Sequence, residues 1–305
     1  MKAFVAPRAG ILDTLKLMEI PVPEIGADEV LVQIRTVGVG VHDRWFMPQE
    51  VRYPYPIGIE AAGIIDAVGE AVTRFAVGDR VMFVSSMQPK GGVWAEFAAV
   101  AETTLIRIPD ELDFVRAAAL PVAGGTALRS MHLLDLGAGD ALFMAGASGA
   151  IGTLAIQLAR SRGIRVAASA SERNHDYLRS LGAELAVDYR DPEWVEQVRA
   201  WSQTGVDAAL AIQPGTSADS MRLVRDGGTL VTVSGDRLAP ERGIRISVLM
   251  GATDARDEMA ELAAEVASGR IHVEVEQVYP FEDGIQALEK TETRRARGKV
   301  VLTLE

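Results

Sequence analysis

The first hundred residues alternate apolar and polar positions in short runs broken by glycine and proline. Residues 29–40, EVLVQIRTVGVG, alternate for several positions, which predicts a half-buried strand. Apolar runs at 61–69 (AAGIIDAVG), 78–84 (GDRVMFV) and 92–100 (GVWAEFAAV) are bounded by glycine and read as further strands. Strands at this spacing, without long helical patterns, predict a small barrel or sandwich. The pattern changes at Asp113. Residues 113–134 are alanine-rich and helical in parts, and then strands and helices alternate. Strands are expected at 140–147, 164–170, 184–189, 205–212 and 229–235, and helices at 150–163, 173–182, 192–202 and 217–228. That alternation predicts βαβ units and a parallel sheet with right-handed crossovers. A helix at 257–269 and a strand, short helix and strand close the chain. The expected fold class is α/β. A β-rich domain, 1–114 completed by 265–305, is interrupted by a doubly wound parallel-sheet domain, 115–264.

Residues 141–159 carry no charge, long enough to imitate a membrane span. They contain Gly146, Ser148, Gly149, Gly152, Thr153 and Gln157, so a strand, a glycine turn and a helix explain them better. The turn is AGASGAIG, 145–152, with Gly146, Gly149 and Gly152 three apart. Between a strand and a helix of a βαβ unit, such a loop permits a tight turn and close approach of a pyrophosphate. The helix start offers free N–H groups and a positive dipole end. The spacing is GxxGxxG, a variant of the dinucleotide fingerprint.

Charge narrows the ligand. NAD enzymes carry an acidic residue at the end of the second strand, for the ribose 2′-OH. Here that strand ends in serines, with Ser171, Arg173 and Asn174 at and just past its end. Hydroxyl and guanidinium suit a 2′-phosphate, so NADPH is expected; Glu172, in reach by sequence distance, is the competing NAD-type residue. The 305 residues carry a net charge of −11, which argues against a nucleic-acid surface. There is no cysteine, so disulfides, thiolate metal ligands and a cysteine nucleophile are excluded. The first residues, MKAFVAPR, lack a signal-peptide pattern, and a cytoplasmic protein is expected.

Over its whole length the chain resembles the medium-chain dehydrogenase/reductases, in their zinc-free, zeta-crystallin-like quinone oxidoreductase branch. The resemblance is carried by VGVGVHDRW (37–45), PIGIEAAGIIDAVG (56–69), FAVGDRV (75–81), GGVWAEFAAV (91–100), AAALPVAGGTAL (117–128), AGASGAIG (145–152) and RARGKVVL (295–302). It implies a GroES-like catalytic domain around a Rossmann domain, and a homodimer joined by sheet edges near 240–251. Zinc members of the family place two cysteines and a histidine where Gly40, Val122 and Ile59 stand here, and the four histidines lack ligand spacing. No metal is therefore expected. Without a Lewis acid, hydride donation to an electron-poor quinone, enone or enal is easier than oxidation of an alcohol.

The resemblance also assigns positions. Ser148, Gly149, Ala150 and Ile151 would line the pyrophosphate. Ser169, Ser171, Arg173, Asn174 and Tyr189 would face the ribose phosphate. Thr126, Val233, Ser234, Gly235, Val248, Leu249 and Met250 would lie toward the nicotinamide, the last three at the dimer edge in the alternative. The segment 43–56 would line a substrate cleft between the domains, with Trp45, Phe46, Tyr53 and Tyr55 as candidates for contact with a flat acceptor. Tyr53 is the preferred hydroxyl contact, and His42 sits near the family's proton-relay position. Gly40 departs from relatives that carry asparagine there. A non-catalytic NADPH-binding sensor or structural protein of the same fold is the alternative.

Overall fold

The structure is a computed structural model describing residues 1–8, 14–48, 50–85, 88–249 and 256–304. The chain divides into two compact units, Met1–Val122 with Arg256–Glu305, and Ala123–Ala255. The first begins with β1 (Lys2–Ala6), β2 (Lys16–Glu19), β3 (Glu29–Val39), β4 (Tyr55–Pro56), β5 (Glu60–Val68), β6 (Arg80–Val84), β7 (Phe97–Ala101) and β8 (Leu105–Arg107). Strand β3 organises this unit. Its first positions alternate between half-buried and buried, as the sequence pattern requires of a strand with one covered face. From Val37 it is buried on both faces, because α1 (Phe114–Ala118) packs there. Gly38 marks that approach: a Cβ on it would lie 2.5 Å from the Ala118 carbonyl oxygen. Along 92–100 only Phe97 onward forms a named strand; Ala95 makes a single bridge to Ala3.

The second unit takes up most of α2 (Pro121–Leu134) and continues through β9 (Ala141–Ala145), α3 (Ala150–Ser161), β10 (Arg165–Ser169), α4 (His175–Leu181), β11 (Leu185–Val187), α5 (Trp194–Trp201), β12 (Val206–Ala211), α6 (Ser217–Leu223), β13 (Val224–Thr232) and β14 (Arg245–Val248). All six strands are parallel, in the order β11-β10-β9-β12-β13-β14. Strand order reverses across β9 and β12, and such switch points open crevices at the carboxyl ends of strands. Strand β9 is buried throughout, as expected of a central strand covered on both faces. Phe143 stacks on Trp194 at 5.5 Å between ring centroids. The helix expected over 217–228 stops at Leu223. Val224 pairs with Val206 of β12 instead, since a β-branched residue fits the sheet better than an eighth helical position.

The chain then returns to the first unit with α7 (Arg256–Ala267), β15 (Val275–Pro280), α8 (Gly284–Glu292) and β16 (Lys299–Thr303). The expected domain breaks at 115 and 264 thus fall inside α1 and α7. Strand β16 lies antiparallel to β3, Val300 opposite Val39, completing a seven-stranded sheet β15-β16-β3-β5-β6-β8 with β7 on β3. The unit's core gathers Phe4, Val32, Ile34, Trp94 and Phe281, with Phe4 edge-on to both Trp94 and Phe281. Among the described residues no helix is long and apolar enough to cross a membrane; 141–159 is β9, the glycine turn and most of α3.

Candidate functional site

In the second unit the glycine turn lies between β9 and α3, and its three glycines have separate reasons. Gly146 has φ +77°, a left-handed conformation that costs glycine little, and a Cβ there would meet Gln213 Cγ at 2.3 Å. At Gly152 a Cβ would lie 2.2 Å from the Ala147 carbonyl oxygen, so the helix can sit against its strand only without a side chain. Gly149 is different. It is the N-cap of α3 with ordinary φ −78°, no side chain caps the helix, and a Cβ would meet only the Gly146 oxygen at 4.0 Å. The first-turn N–H groups of α3 thus stand at a positive helix end that no side chain caps, with half-buried Ser148 beside them. These features fit the pyrophosphate of a dinucleotide.

The turn is joined to the next strand: Ala147 N–H donates to the Ser169 carbonyl at 3.1 Å. Ser169 itself is buried at the end of β10. Beyond it, Asn174 is buried and donates through Nδ2 to Ser171 Oγ at 3.2 Å, while Arg173 and Glu172 are exposed. The Glu172 N–H donates to Asp188 Oδ2 at 3.2 Å, which ties the tips of β10 and β11 together. Tyr189 follows, 57% exposed, and Arg190 forks onto Asp188. Sequence reasoning passed over Asp188 and Arg190, because the two charges read as a solvated turn until sheet pairing sets β11 beside β10.

The remaining expected cofactor positions lie on α2 and at the ends of β13 and β14. Thr126 is half-buried on α2. Val233 donates from its N–H to Ala211 O at 2.9 Å, Ser234 Oγ lies 3.1 Å from Thr232 Oγ1, and Gly235 has φ +79°. Val248 is exposed on β14, the outermost strand, and Leu249 N–H donates to Thr232 O at 2.9 Å. Met250 lies outside the described residues.

In the first unit the segment after β3 turns on Asp43, which is completely buried. Its Oδ2 accepts from Gly40 N–H at 2.9 Å and from Trp94 Nε1 at 3.0 Å. Its Oδ1 has no hydrogen-bond partner among the described residues. Burial pushes the Asp43 carboxyl up to about 7, against the lowering by those donors and by Lys299. Asp43 and Trp94 were also passed over; the tryptophan partner lies 51 residues away. The Asp43 anchor leaves Trp45 and Phe46 pointing outward, 59% and 42% exposed, with the His42 ring edge-on to Phe46 at 5.2 Å. Burial and the nearby Arg294 charge lower the pKa of His42, so it stays neutral at neutral pH. Arg44 pairs with Glu292 at 2.8 Å.

Tyr53 is half-buried against the core. Tyr55 corrects an expectation. It is 2% exposed and its hydroxyl donates to the Gln88 carbonyl at 2.6 Å, so neither its ring face nor its hydroxyl is open to a ligand. Burial drives its phenol up to about 12. Pairing of Tyr55 with Ala6 of β1 and its hydroxyl bond to Gln88 bury it, which an aromatic count could not show.

At the zinc-ligand positions, Gly40 and Ile59 offer no donor side chain, and Val122 uses its backbone N–H to donate to Glu60 Oε2 at 2.7 Å. Among the described residues no three histidine or carboxylate side chains gather as a metal site. The three zinc-ligand positions themselves therefore supply no metal-binding side chain.

Two family models match the chain: the alcohol dehydrogenase GroES-like domain over residues 26–110 and the zinc-binding dehydrogenase over 181–302. The NADPH-dependent alkenal/one oxidoreductase of Arabidopsis thaliana chloroplasts is 32% identical, over 99% of this chain and 79% of the relative. The quinone oxidoreductase of Coxiella burnetii shares the fold with a TM-score of 0.91 at 26% identity, over 100% of this chain and 99% of that one. A mycobacterial protein complexed with NADPH superposes with a TM-score of 0.88 at 25% identity, over the full length of both. The GroES-like and Rossmann-type folds, the ordered motifs and these relatives agree: the chain belongs to the medium-chain dehydrogenase/reductase superfamily, in its quinone oxidoreductase branch.

Proposed function

We propose that this oxidoreductase moves a hydride from NADPH to a quinone or an α,β-unsaturated carbonyl, without zinc. The observation that carries this is the pairing of an uncapped α3 start behind the glycine turn with zinc positions that hold Gly40, Ile59 and Val122. The relatives support the choice of acceptor and cofactor. Bound NADPH supplies a hydride from its nicotinamide ring, and the chain does the rest. The N–H groups of Ala150 and Ile151 and the helix dipole receive the pyrophosphate. Arg173, with the hydroxyl of Ser171, serves the ribose phosphate. The exposed faces of Trp45 and Phe46 offer a flat apolar contact for a conjugated acceptor. After hydride arrival at an electron-poor carbon, the resulting enolate or hydroquinone anion takes a proton, from His42, Tyr53 or water. A neutral His42 would hydrogen-bond the oxyanion through its ring N–H, and would pass on a proton only after taking one from water. Thr126, Val233, Ser234 and Gly235 belong to the nicotinamide end of the same proposal, and a homodimer along the open edge of β14 completes it.

The test is consumption of NADPH and NADH against a panel of quinones, enones and 2-alkenals, with and without a zinc chelator. NADPH oxidation indifferent to the chelator is expected. Tight NADPH binding with no oxidation by any acceptor would make the protein a non-catalytic binder, and a hundredfold preference for NADH would remove the 2′-phosphate argument.

A further inference from the structure

The end of β10 is less basic than its sequence suggests. Strands β10 and β11 are parallel neighbours with Ser169 opposite Val187. The Ala170 N–H donates to Val187 O at 3.1 Å, and the Glu172 N–H to Asp188 Oδ2 at 3.2 Å. Residues 171–173 and 188–190 therefore form one tip. It holds two acids, Glu172 and Asp188, and two bases, Arg173 and Arg190, so the tip as folded is close to neutral. A phosphate carrying nearly two charges would meet the Asp188 carboxylate, which Arg190 keeps ionised well below the usual carboxylate range.

Arg190 is placed to change this. Its guanidinium grips Asp188 through Nε at 3.0 Å to Oδ1 and Nη2 at 2.5 Å to Oδ2, yet its side chain is 61% exposed. Its charge also senses Glu172, directly after Ser171, and its guanidinium carbon lies 5.8 Å from the centre of the Tyr189 ring. The Arg190 end of the pair is the exposed one, so an anion from solvent can reach its guanidinium while Asp188 stays in place. A phosphate presents more charge and the same fork geometry to a guanidinium. We propose that Arg190 is a second cation for the adenosine ribose 2′-phosphate, parked on Asp188 in the free protein and drawn from it by the phosphate. Asp188 is then a latch that sets how strongly the protein prefers NADPH over NADH. This rests on the NADPH reading above.

The proposal is tested by calorimetric titration of the full chain with 2′,5′-ADP and with 5′-AMP, which needs no acceptor and no turnover. The wild type should favour 2′,5′-ADP. Arg190→Met should weaken 2′,5′-ADP by about tenfold or more while 5′-AMP stays within about twofold, which also reports an intact fold. Asp188→Asn keeps an oxygen for the Glu172 N–H but frees Arg190, and should tighten 2′,5′-ADP. If Arg190→Met retains the wild-type ratio of the two affinities, Arg190 is no phosphate ligand and the proposal is overturned. If the wild type itself does not favour 2′,5′-ADP, the NADPH reading fails first and takes this one with it.

Discussion

Asp43 shows how much a single residue's chemistry depends on what surrounds it. In the sequence it is one acid in VGVGVHDRW. Folded, it is the buried post around which the segment after β3 turns, with Trp94 and Gly40 as its donors. Gly40 also becomes intelligible: a Cβ there would lie 3.2 Å from Asp43 Oδ1. The folded chain holds the Asp43 proton more tightly than the unfolded chain, where aspartate titrates near 3.8. Its share of stability is therefore fully present below about pH 4 and is lost as pH rises through about 7. Asp43→Asn preserves an oxygen for both donors and removes the ionisation. Urea unfolding at pH 5 and pH 7.5 should show the variant gaining on the wild type at the higher pH. A stability difference that is equal at both values contradicts the burial argument.

At the scale of elements, the strand–turn–helix at 141–161 was the most legible part of the chain, since a fully apolar strand, small residues and a helical face follow in order. The individual purposes of its glycines were not legible. Spacing treats Gly146, Gly149 and Gly152 alike, whereas the surroundings separate them. Gly152→Ala must push α3 away from the Ala147 carbonyl, and should cost about 1–3 kcal/mol in thermal or urea unfolding as an overpacked site does. Gly149→Ala should unfold like the wild type, yet bind NADPH less tightly, because its methyl would stand where the pyrophosphate approaches. Fluorescence titration with NADPH checks this; unchanged affinity in Gly149→Ala would place the phosphates elsewhere. Helix ends were less legible. The apolar pattern of 217–228 suits a helix throughout, and only the pairing of Val224 with Val206 ends it at Leu223. The short strands β1, β2, β4, β8 and β14 escaped for a related reason. Two to five residues carry too little periodicity, and their pairing partners supply the rest.

Across the whole molecule, the two ends of the chain meet in the first unit. Lys299, at the start of β16, pairs with the fully buried Glu60 of β5, 239 residues earlier. Glu60 also receives the Val122 N–H, so its two oxygens are served by groups from two distant parts of the chain. Lys299→Met should cost about 3–5 kcal/mol in urea unfolding, since it leaves that carboxylate buried and unpaired. Glu60→Gln combined with Lys299→Met should recover part of the loss; a double variant no better than the single one would show the pair is not the cause. The sequence by itself determined the alternation of strands and helices, the interruption of a β-rich unit by a parallel-sheet unit, the glycine turn between strand and helix, and the lack of donor side chains at the zinc positions. These follow from periodicity, turn chemistry and residue type, all local properties. Only the tertiary structure decided that Tyr55 faces the core and Trp45 faces outward, that the Asp43 carboxyl is pushed up to about 7, and that Asp188, with Arg190 on it, meets Glu172 past the end of β10. Burial, and the pairing of charges far apart in the chain, depend on which strands become neighbours, and no local pattern records that.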